Sequence, residues 1–358
     1  MTSRNLILFG AVAALYLLTG LGESWNLSLS ILNAALLATI AALGVNMQWG
    51  YAGLFSTGVM GFTALGGLAV VLISAQPNTE NWQAGGPGIL LALILGAASV
   101  VAAVLAWSKL PKGRMRALVV AAILIGGFFL FRAVFDPAVT ATEAVNPQFA
   151  GNLGGLGLPS LVAWPVGGLL AAAAAWAIGK TALGLRSDYL AIATLGIAEI
   201  IVAFLKNEDW LARGVKNVTQ LPRPWPVPLE VDLQKDPGFL EFVASWGWNP
   251  VATSTILIKL LYAGLFVAVL AVIIWAFERA LNSPWGRMMR AIRDNEVAAA
   301  AMGKDVTRRH LQVFILGSAV IGFAGAMATS MDSQLTPGSF QPLRFTFLIW
   351  VMVIIGGS

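Results

Sequence analysis

The chain has 358 residues, of which 58% are hydrophobic and only 11% charged, with a formal net charge of +5. A soluble domain carries about 25% charged residues, so a chain this apolar needs lipid as its main solvent. It holds no cysteine and one histidine, His310. Disulfide, iron–sulfur and thiol chemistry are excluded, and a histidine-based metal site is not expected.

A helix crosses the hydrocarbon core in about 20 apolar residues. Uncharged runs broken at Gly, Pro and polar clusters predict ten spans in chain order: 5–22, 27–48, 53–74, 88–107, 117–133, 161–179, 189–205, 257–277, 311–330 and 345–358. The first has the look of a signal peptide. However, no small-residue cleavage site follows, and Glu23-Ser24-Trp25 leads directly into the next run.

Between Glu23 and Glu80 there is no charge, and "QWGYAGLFSTG" reads as a broken or re-entrant segment. Gly50, Gly53, Gly58 and Gly61 permit close helix crossings or an unwound stretch lining a cavity. Asn46 and Ser56 are polar candidates for a translocation path there, with Asn33 and Thr57 beside them. Farther on, "GNLGGLG" at 151–157 reads as a flexible outer loop, because no strand precedes it to make a dinucleotide site. Gly179-Lys180-Thr181 suggests a phosphate loop, but that pattern needs glycine at 174 and Ala174 stands there. No nucleophile–base set or metal cluster is visible, so the chain reads as a non-enzyme.

The 189–205 span contains Glu199. An ionisable group inside a membrane span is costly and is a functional candidate by default. Asp188 lies eleven residues earlier, about 20° away around a helix. It is also a natural helix N-cap. Glu199 reads either as a structural hydrogen bond to another helix or as part of the pathway, with Thr194 a milder candidate. The 206–255 segment is rich in Trp and Pro. It reads as an interfacial cap or as a docking surface for an external partner through Trp210, Arg213 and Lys216.

Ser283–His310 is the most informative stretch. Asn282 or Ser283 can cap a helix and Pro284 suits its first turn. Apolar residues then recur on one stripe while Arg287, Arg290 and Arg293 follow another. Asp294-Asn295 can cap a second short helix, "EVAAAAM", which Gly303 ends, and Asp305 or Thr307 starts the next span. A solvated loop, a lipid-surface helix and a docking element for a cytosolic protein all fit. The alanine run, Ala299 included, favours docking, since it is weakly apolar yet lets another backbone approach closely.

Placing the N-terminus inside and alternating puts 14 of the 22 basic residues, and 5 of the 17 acidic ones, on inner segments. This positive-inside bias puts the N-terminus and Ser283–His310 in the cytoplasm. The expected architecture is a single all-α polytopic membrane bundle of about ten helices over 1–358, with an outer loop at 206–255 and a cytoplasmic loop at 281–310. The final run, "FTFLIWVMVIIGGS", is 14 residues, about 21 Å as a helix and short of the roughly 30 Å core. The expectation is a chain truncated at its C-terminus.

"SPWGRMMRAIRDNEVAAAAMGKDVTRRHLQVF" resembles the cytoplasmic loop of ABC-importer permeases, above all the LivM-type branched-chain amino acid permeases. "LRSDYLAIATLGIAEIIVAFLKN", residues 185–207, is similar to a second block of that family. "ALGVNMQWGYAGLFSTGVMGFTALGG", residues 42–67, resembles a third, departing at Val59-Met60-Gly61-Phe62 and Gly67-Leu68. Residues 108–160 look like an insertion carrying one extra span.

The resemblance implies coupling helices seated on an ATPase, with Glu296 and Gly303 at the family's acidic start and terminal glycine. It implies two ATPase subunits that bind the ATP and Mg, none being bound by this chain, together with a second, LivH-like permease and a periplasmic solute-binding protein. It places the chain in a bacterial inner membrane, carrying leucine, isoleucine, valine or a related amino acid; relatives carry urea or short amides. An ion-coupled secondary transporter using Glu199 is the rival class. No nucleic-acid partner is expected.

Overall fold

The computed structural model describes residues 3–145, 151–184 and 187–357. Leu185, Arg186 and Ser358, which enter the expectations above, lie outside the described residues. The main helices are α1 (Ser3–Gly22), α2 (Trp25–Ala52), α3 (Val59–Ser74), α4 (Thr79–Lys109), α5 (Arg114–Val145), α6 (Ser160–Ala182) and α7 (Ser187–Asn207). The 206–255 segment forms three short helices, α8 (Asp209–Ala212), α9 (Glu230–Lys235) and α10 (Pro237–Ser245). Then come α11 (Pro250–Leu281), α12 (Pro284–Asp294), α13 (Glu296–Ala301), α14 (Val306–Asp332) and, after a π-helical turn at Leu343–Phe347, α15 (Leu348–Gly356). Among the described residues seven helices are long and apolar enough to cross a membrane, and Leu6–Gly22, Val59–Ser74 and Leu343–Gly356 are shorter apolar helices. The chain is a polytopic all-α membrane protein.

Several expected boundaries move. α4 begins at Thr79, not at 88, and α5 runs on to Val145, past 133. The 53–74 span is helical only from Val59, because Gly53–Gly58 is unwound. The span expected at 257–277 begins at Pro250, where the Asn249 side chain accepts from the Val251 and Ala252 N–H groups at 2.9 and 3.2 Å. That cap was not anticipated from the sequence.

α3 is the centre of the bundle. It carries no charge and is buried on nearly every side, with Met60, Ala64, Ala69, Val70 and Val71 fully enclosed. α14, α6 and α7 pack around it. Lipid tails are as apolar as leucine, so close backbone approach, not water exclusion, drives such packing. Gly66 lies against the Gly322 carbonyl and Gly325 against Thr63, where a Cβ on either glycine would overlap backbone. One crossing is further locked by the Trp164 indole, which donates to Ser330 Oγ at 3.0 Å.

The "GNLGGLG" segment is an ordered cap, not a free loop. Leu156 N–H donates to Leu72 O at 3.0 Å, Gly157 N–H to Ala75 O at 3.0 Å and Leu158 N–H to Ile73 O at 2.9 Å. These satisfy carbonyls that the end of α3 leaves unpaired. Gly155 lies flat on the Val71 carbonyl, where a side chain would collide.

α4 and α5 form a long hairpin that packs mainly on itself. It joins the rest through a small cluster of Ile89, Ala92, Phe135, Leu153 and Trp210. Its outward face, including Val101, Val104, Phe128 and Phe129, is exposed apolar surface suited to lipid.

Candidate functional site

α12 and α13 form the helix–corner–helix element expected from the basic segment. Asn295 turns the corner, and its Oδ1 accepts from Ala298 N–H at 2.9 Å. Gly303, at φ +75°, closes α13 with its N–H on Ala300 O at 2.9 Å. Asp305 caps α14 by accepting from Arg308 N–H at 3.0 Å. Ser283 occupies the N-cap position of α12 but does not cap it: its hydroxyl turns back and donates to Ala280 O at 2.6 Å.

The apolar stripe of α12 faces the bundle, with Met289 and Ile292 fully buried. Gly286 sits directly on the Leu281 backbone, where a Cβ would clash. The three arginines, expected to face a partner or lipid, also bind this chain. Arg287 donates to Asn282 O at 3.1 Å and Arg290 to Leu281 O at 3.3 Å, both at the C-terminal end of α11. A cation there complements the helix dipole. Arg293 donates to Gly50 O, near the end of α2. The guanidinium groups therefore fasten α12 to two helices.

Ala299 corrects the reading of the alanine run. It is the buried residue of α13 and points inward, while Glu296, Ala298, Ala300 and Ala301 are exposed. The sequence reading passed over the apolar residues that do project outward: Val297 and Met302 are each 80% exposed. Their flanking position around a small-residue run was the available signal.

Three residues after Gly50 the backbone leaves the helix. Gly53 takes φ +70° and Gly53–Gly58 is unwound. Non-helical backbone in a membrane protein must find partners inside the protein, and three elements supply them. Thr57 N–H donates to Thr194 Oγ1 at 3.0 Å, and the Thr57 hydroxyl donates to Ala191 O at 2.6 Å. Thr346, on the π-helical turn, donates to Thr57 O at 3.3 Å and accepts from Met60 N–H at 3.2 Å. The Trp350 indole donates to Ser56 O at 3.0 Å. Thr194 is thus buried as a tie between α7 and the unwound segment. Gln48, Thr346 and Trp350 join this network without having been singled out; Gln48 Nε2 donates to Phe314 O at 3.1 Å and Ser318 Oγ at 3.0 Å. Ser56 Oγ and Asn46 Oδ1 are buried without hydrogen-bond partners.

Glu199 does not join these ties. It lies on the outward face of α7 with Asp188, Ile192, Gly196 and Ile200, and among the described residues it makes no hydrogen bond or ion pair to another helix. Of the two readings of Glu199, the hydrogen bond to another helix is not formed among the described residues. Asp188 is in the first turn of α7, where a carboxylate favours the helix N-terminus.

In the 206–255 segment Trp210 is buried. Its ring meets Phe135 edge-on at 5.5 Å, its indole donates to Glu208 Oε2 at 2.6 Å, and its carbonyl accepts from Leu153 N–H at 3.0 Å. It holds the α4–α5 hairpin and is not free surface, whereas Trp225, Trp246 and Trp248 are exposed. Lys216 pairs with Asp209 at 2.8 Å, and half-buried Arg213 ends α8 in the left-handed conformation. Gly179-Lys180-Thr181 is ordinary helix, with Lys180 over the Trp176 ring at 4.2 Å. Among the described residues no group of acids and histidine is placed to hold a metal.

No solved structure matches the chain. It is 32% identical over 193 residues to the high-affinity branched-chain amino acid transport system permease protein LivM of Salmonella typhimurium and, equally, of Escherichia coli, covering 54% of this chain and 45% of each relative. It is 26% identical over 296 residues to the probable branched-chain amino acid transport permease protein LivM of Methanocaldococcus jannaschii, covering 80% of this chain and 72% of that one. The chain thus spans just under half the length of the two bacterial relatives. The family model for the branched-chain amino acid transport system permease component matches residues 138–358, which takes in α12, α13 and both helices tied to the unwound segment from the C-terminal side, and the chain belongs to that family.

Proposed function

We propose that this chain is one permease subunit of an ATP-driven importer in a bacterial inner membrane. Its N-terminus and α12–α13 face the cytoplasm, as the distribution of basic residues favours. In this reading α13 seats on one of two ATPase subunits, which carry the ATP and Mg. A second, LivH-like permease completes the membrane pair, and a periplasmic binding protein delivers leucine, isoleucine or valine to the outer face. The chain itself hydrolyses nothing.

The observation that carries the proposal is the construction of α12–α13. ATP-driven movement needs a stiff element that meets a partner at one end and is fastened to the bundle at the other. α13 offers Val297 and Met302 outward. α12 is fixed to α11 and α2 by three guanidinium contacts and two buried side chains. Gly50 then leads straight into the unwound segment that α3, α7 and α15 share. Reconstitution in vesicles with the neighbouring ATPases and permease tests the reading: ATP-dependent leucine uptake that requires this chain is expected. Uptake without ATP, driven by an ion gradient, would overturn it.

A further inference from the structure

The turn of the α4–α5 hairpin, residues 110–113, lies about 25 Å along α4 from Ala92, in the cluster that attaches the hairpin to the rest of the chain. Around this turn Lys109, Lys112, Arg114 and Arg116 fall within eight positions, and no acid occurs between Glu80 and Asp136. Lys109, Lys112 and Arg114 are exposed, and none of them forms an ion pair among the described residues. The arginines of α12, by contrast, are spent on carbonyls of this chain. Arg114 and Arg116 stand in the first turn of α5, which has no acidic residue. The positive end of a helix dipole disfavours cations there, so the pair is at its least stable until an anion meets it.

Arg116 ties the two helices together at this end. Its guanidinium lies over the Trp107 ring at 4.0 Å, and its Nη1 donates to the Trp107 carbonyl at 3.4 Å. Beside the pair an apolar groove of about 300 Å3 runs between the helices, lined by Val100, Ala103, Val104 and Trp107 of α4 and by Val120 and Leu124 of α5. Val100, Val104 and Trp107 repeat at helical spacing, as do Val120 and Leu124, so the groove follows both helix axes. From Trp107 to Val100 it runs about 10 Å. Ala103 is buried and forms the floor, while Val104 and Trp107 are exposed. The groove is open on its side, towards the bilayer. Tryptophan beside cations is the composition of a membrane–water interface.

We infer that the turn and the groove together bind one anionic phospholipid. Its phosphate meets Lys112, Arg114 and the Arg116 guanidinium, and one acyl chain lies along the groove from Trp107 towards Val100. Basic clusters of this size just outside a span attract anionic headgroups, each cation being worth about fivefold in binding. A zwitterionic lipid brings a cation of its own to the same four charges and is disfavoured. Four crossings, α5, α6, α7 and α11, separate this turn from α12, so the two lie on one side of the membrane. In the orientation proposed above that side is the cytoplasmic leaflet. The bound lipid fastens the half of the hairpin that the Trp210 cluster does not reach, and the site does not depend on what the chain transports.

The test uses the full chain in phosphatidylcholine nanodiscs containing a trace of phosphatidylglycerol with a diazirine in one acyl chain. After photolysis, label is expected at residues 100–107 and 120–124. It should exceed by about tenfold the label from a phosphatidylcholine bearing the same diazirine, and unlabelled phosphatidylglycerol should displace it. Lys112→Gln with Arg114→Gln should lower the specific label about twentyfold, at about fivefold per cation. Lys112→Arg with Arg114→Lys keeps both charges and should label like the parent. Val104→Phe narrows the groove and should lower label at residues 100–107 severalfold, with both lysines and arginines intact. In the parent chain, added salt should weaken the preference for phosphatidylglycerol, because exposed charges are screened; this arm needs no substitution and no variant that folds. Equal labelling by the two probes assigns the groove to ordinary bilayer contact and overturns the site. Label spread evenly over α1 and the other lipid-facing helices overturns it too, as does a preference that survives both the double Gln variant and high salt.

Discussion

The Arg293 guanidinium donates to the carbonyl of Gly50, joining residues 243 positions apart. Arg293 is on α12, the element that reaches out of the bundle. Gly50 is three residues before the chain unwinds in the bundle interior. A displacement of α12 is therefore applied to α2 at the point where its helix is about to end, close to the segment with the least helical stiffness.

Removing that contact should uncouple rather than unfold. A hydrogen bond to a charged group is worth about 1.5–3 kcal/mol, ten- to hundredfold in a docked population. Arg293→Ala should leave the chain inserted and its ATPases bound, while uptake per ATP hydrolysed falls about tenfold. Arg293→Lys keeps a cationic donor and should lose less. Hydrolysis and uptake measured on the same vesicles give the ratio; an unchanged ratio in Arg293→Ala removes the linkage.

The exposed tip of α13 makes a second prediction. Val297→Asp with Met302→Asp alters only outward side chains, so insertion and thermal stability should stay within about 0.5 kcal/mol of the parent. Retention of the ATPase subunits on purification should drop severalfold. Ala299→Leu does the opposite, overpacking the inward face at a cost of about 1–3 kcal/mol in the permease itself. A pull-down paired with a melting curve separates the two classes.

Thr194 is a tie, and its loss should be felt as stability. Thr194→Val keeps the shape but leaves the buried Thr57 N–H without its acceptor, at a cost of about 1–3 kcal/mol. Thr194→Ser restores most of it. Unfolding of the purified chain in mixed micelles reads the difference, and equal stability of the Val and Ser variants would refute the assignment.

Glu199 should behave differently, because it has no partner among the described residues. Glu199→Leu removes a carboxylate from a membrane-facing position and should stabilise the isolated chain, by up to a few kcal/mol if the face meets lipid. In the assembled transporter the same change should lower uptake if the second permease covers this face around an aqueous path. Glu199→Gln, tested across pH, isolates the charge: full uptake at every pH denies it a transport role.

On the outer segment, Trp210→Ala should destabilise the attachment of the α4–α5 hairpin by about 3–5 kcal/mol, as for other large aromatic truncations in a packed site. Trp246→Ala and Trp225→Ala should spare stability and reduce stimulation by a binding protein. Proteolysis of the outer segment, compared with hydrolysis stimulated by the loaded binding protein, distinguishes them.

The sequence by itself determined the class of solvent, the ten apolar helices, the capped corner at Asn295, Gly303 and Asp305, and the family blocks that match. Each is local: hydropathy over one span, a cap residue and its next three neighbours, a charge on one side of a run. Tertiary structure alone decided which face of each helix meets protein. Ala299 and Val297 are two residues apart in one short helix, yet one is buried and the other is open, because α13 leans on the start of α14. Trp210 was legible as an interfacial ring, but its hold on Phe135 depends on a hairpin some seventy residues earlier. Thr194 and Thr57 are unremarkable polar residues in sequence; they matter because an unwound backbone needs donors and acceptors from whichever helices lie beside it. Asp332 and Arg344 drew no attention, being charges at the ends of spans. Only the meeting of α2, α14 and the C-terminal segment places them in the walls of one cleft, since hydrogen bonds and clefts are set by distance in space, which separation along the chain does not specify.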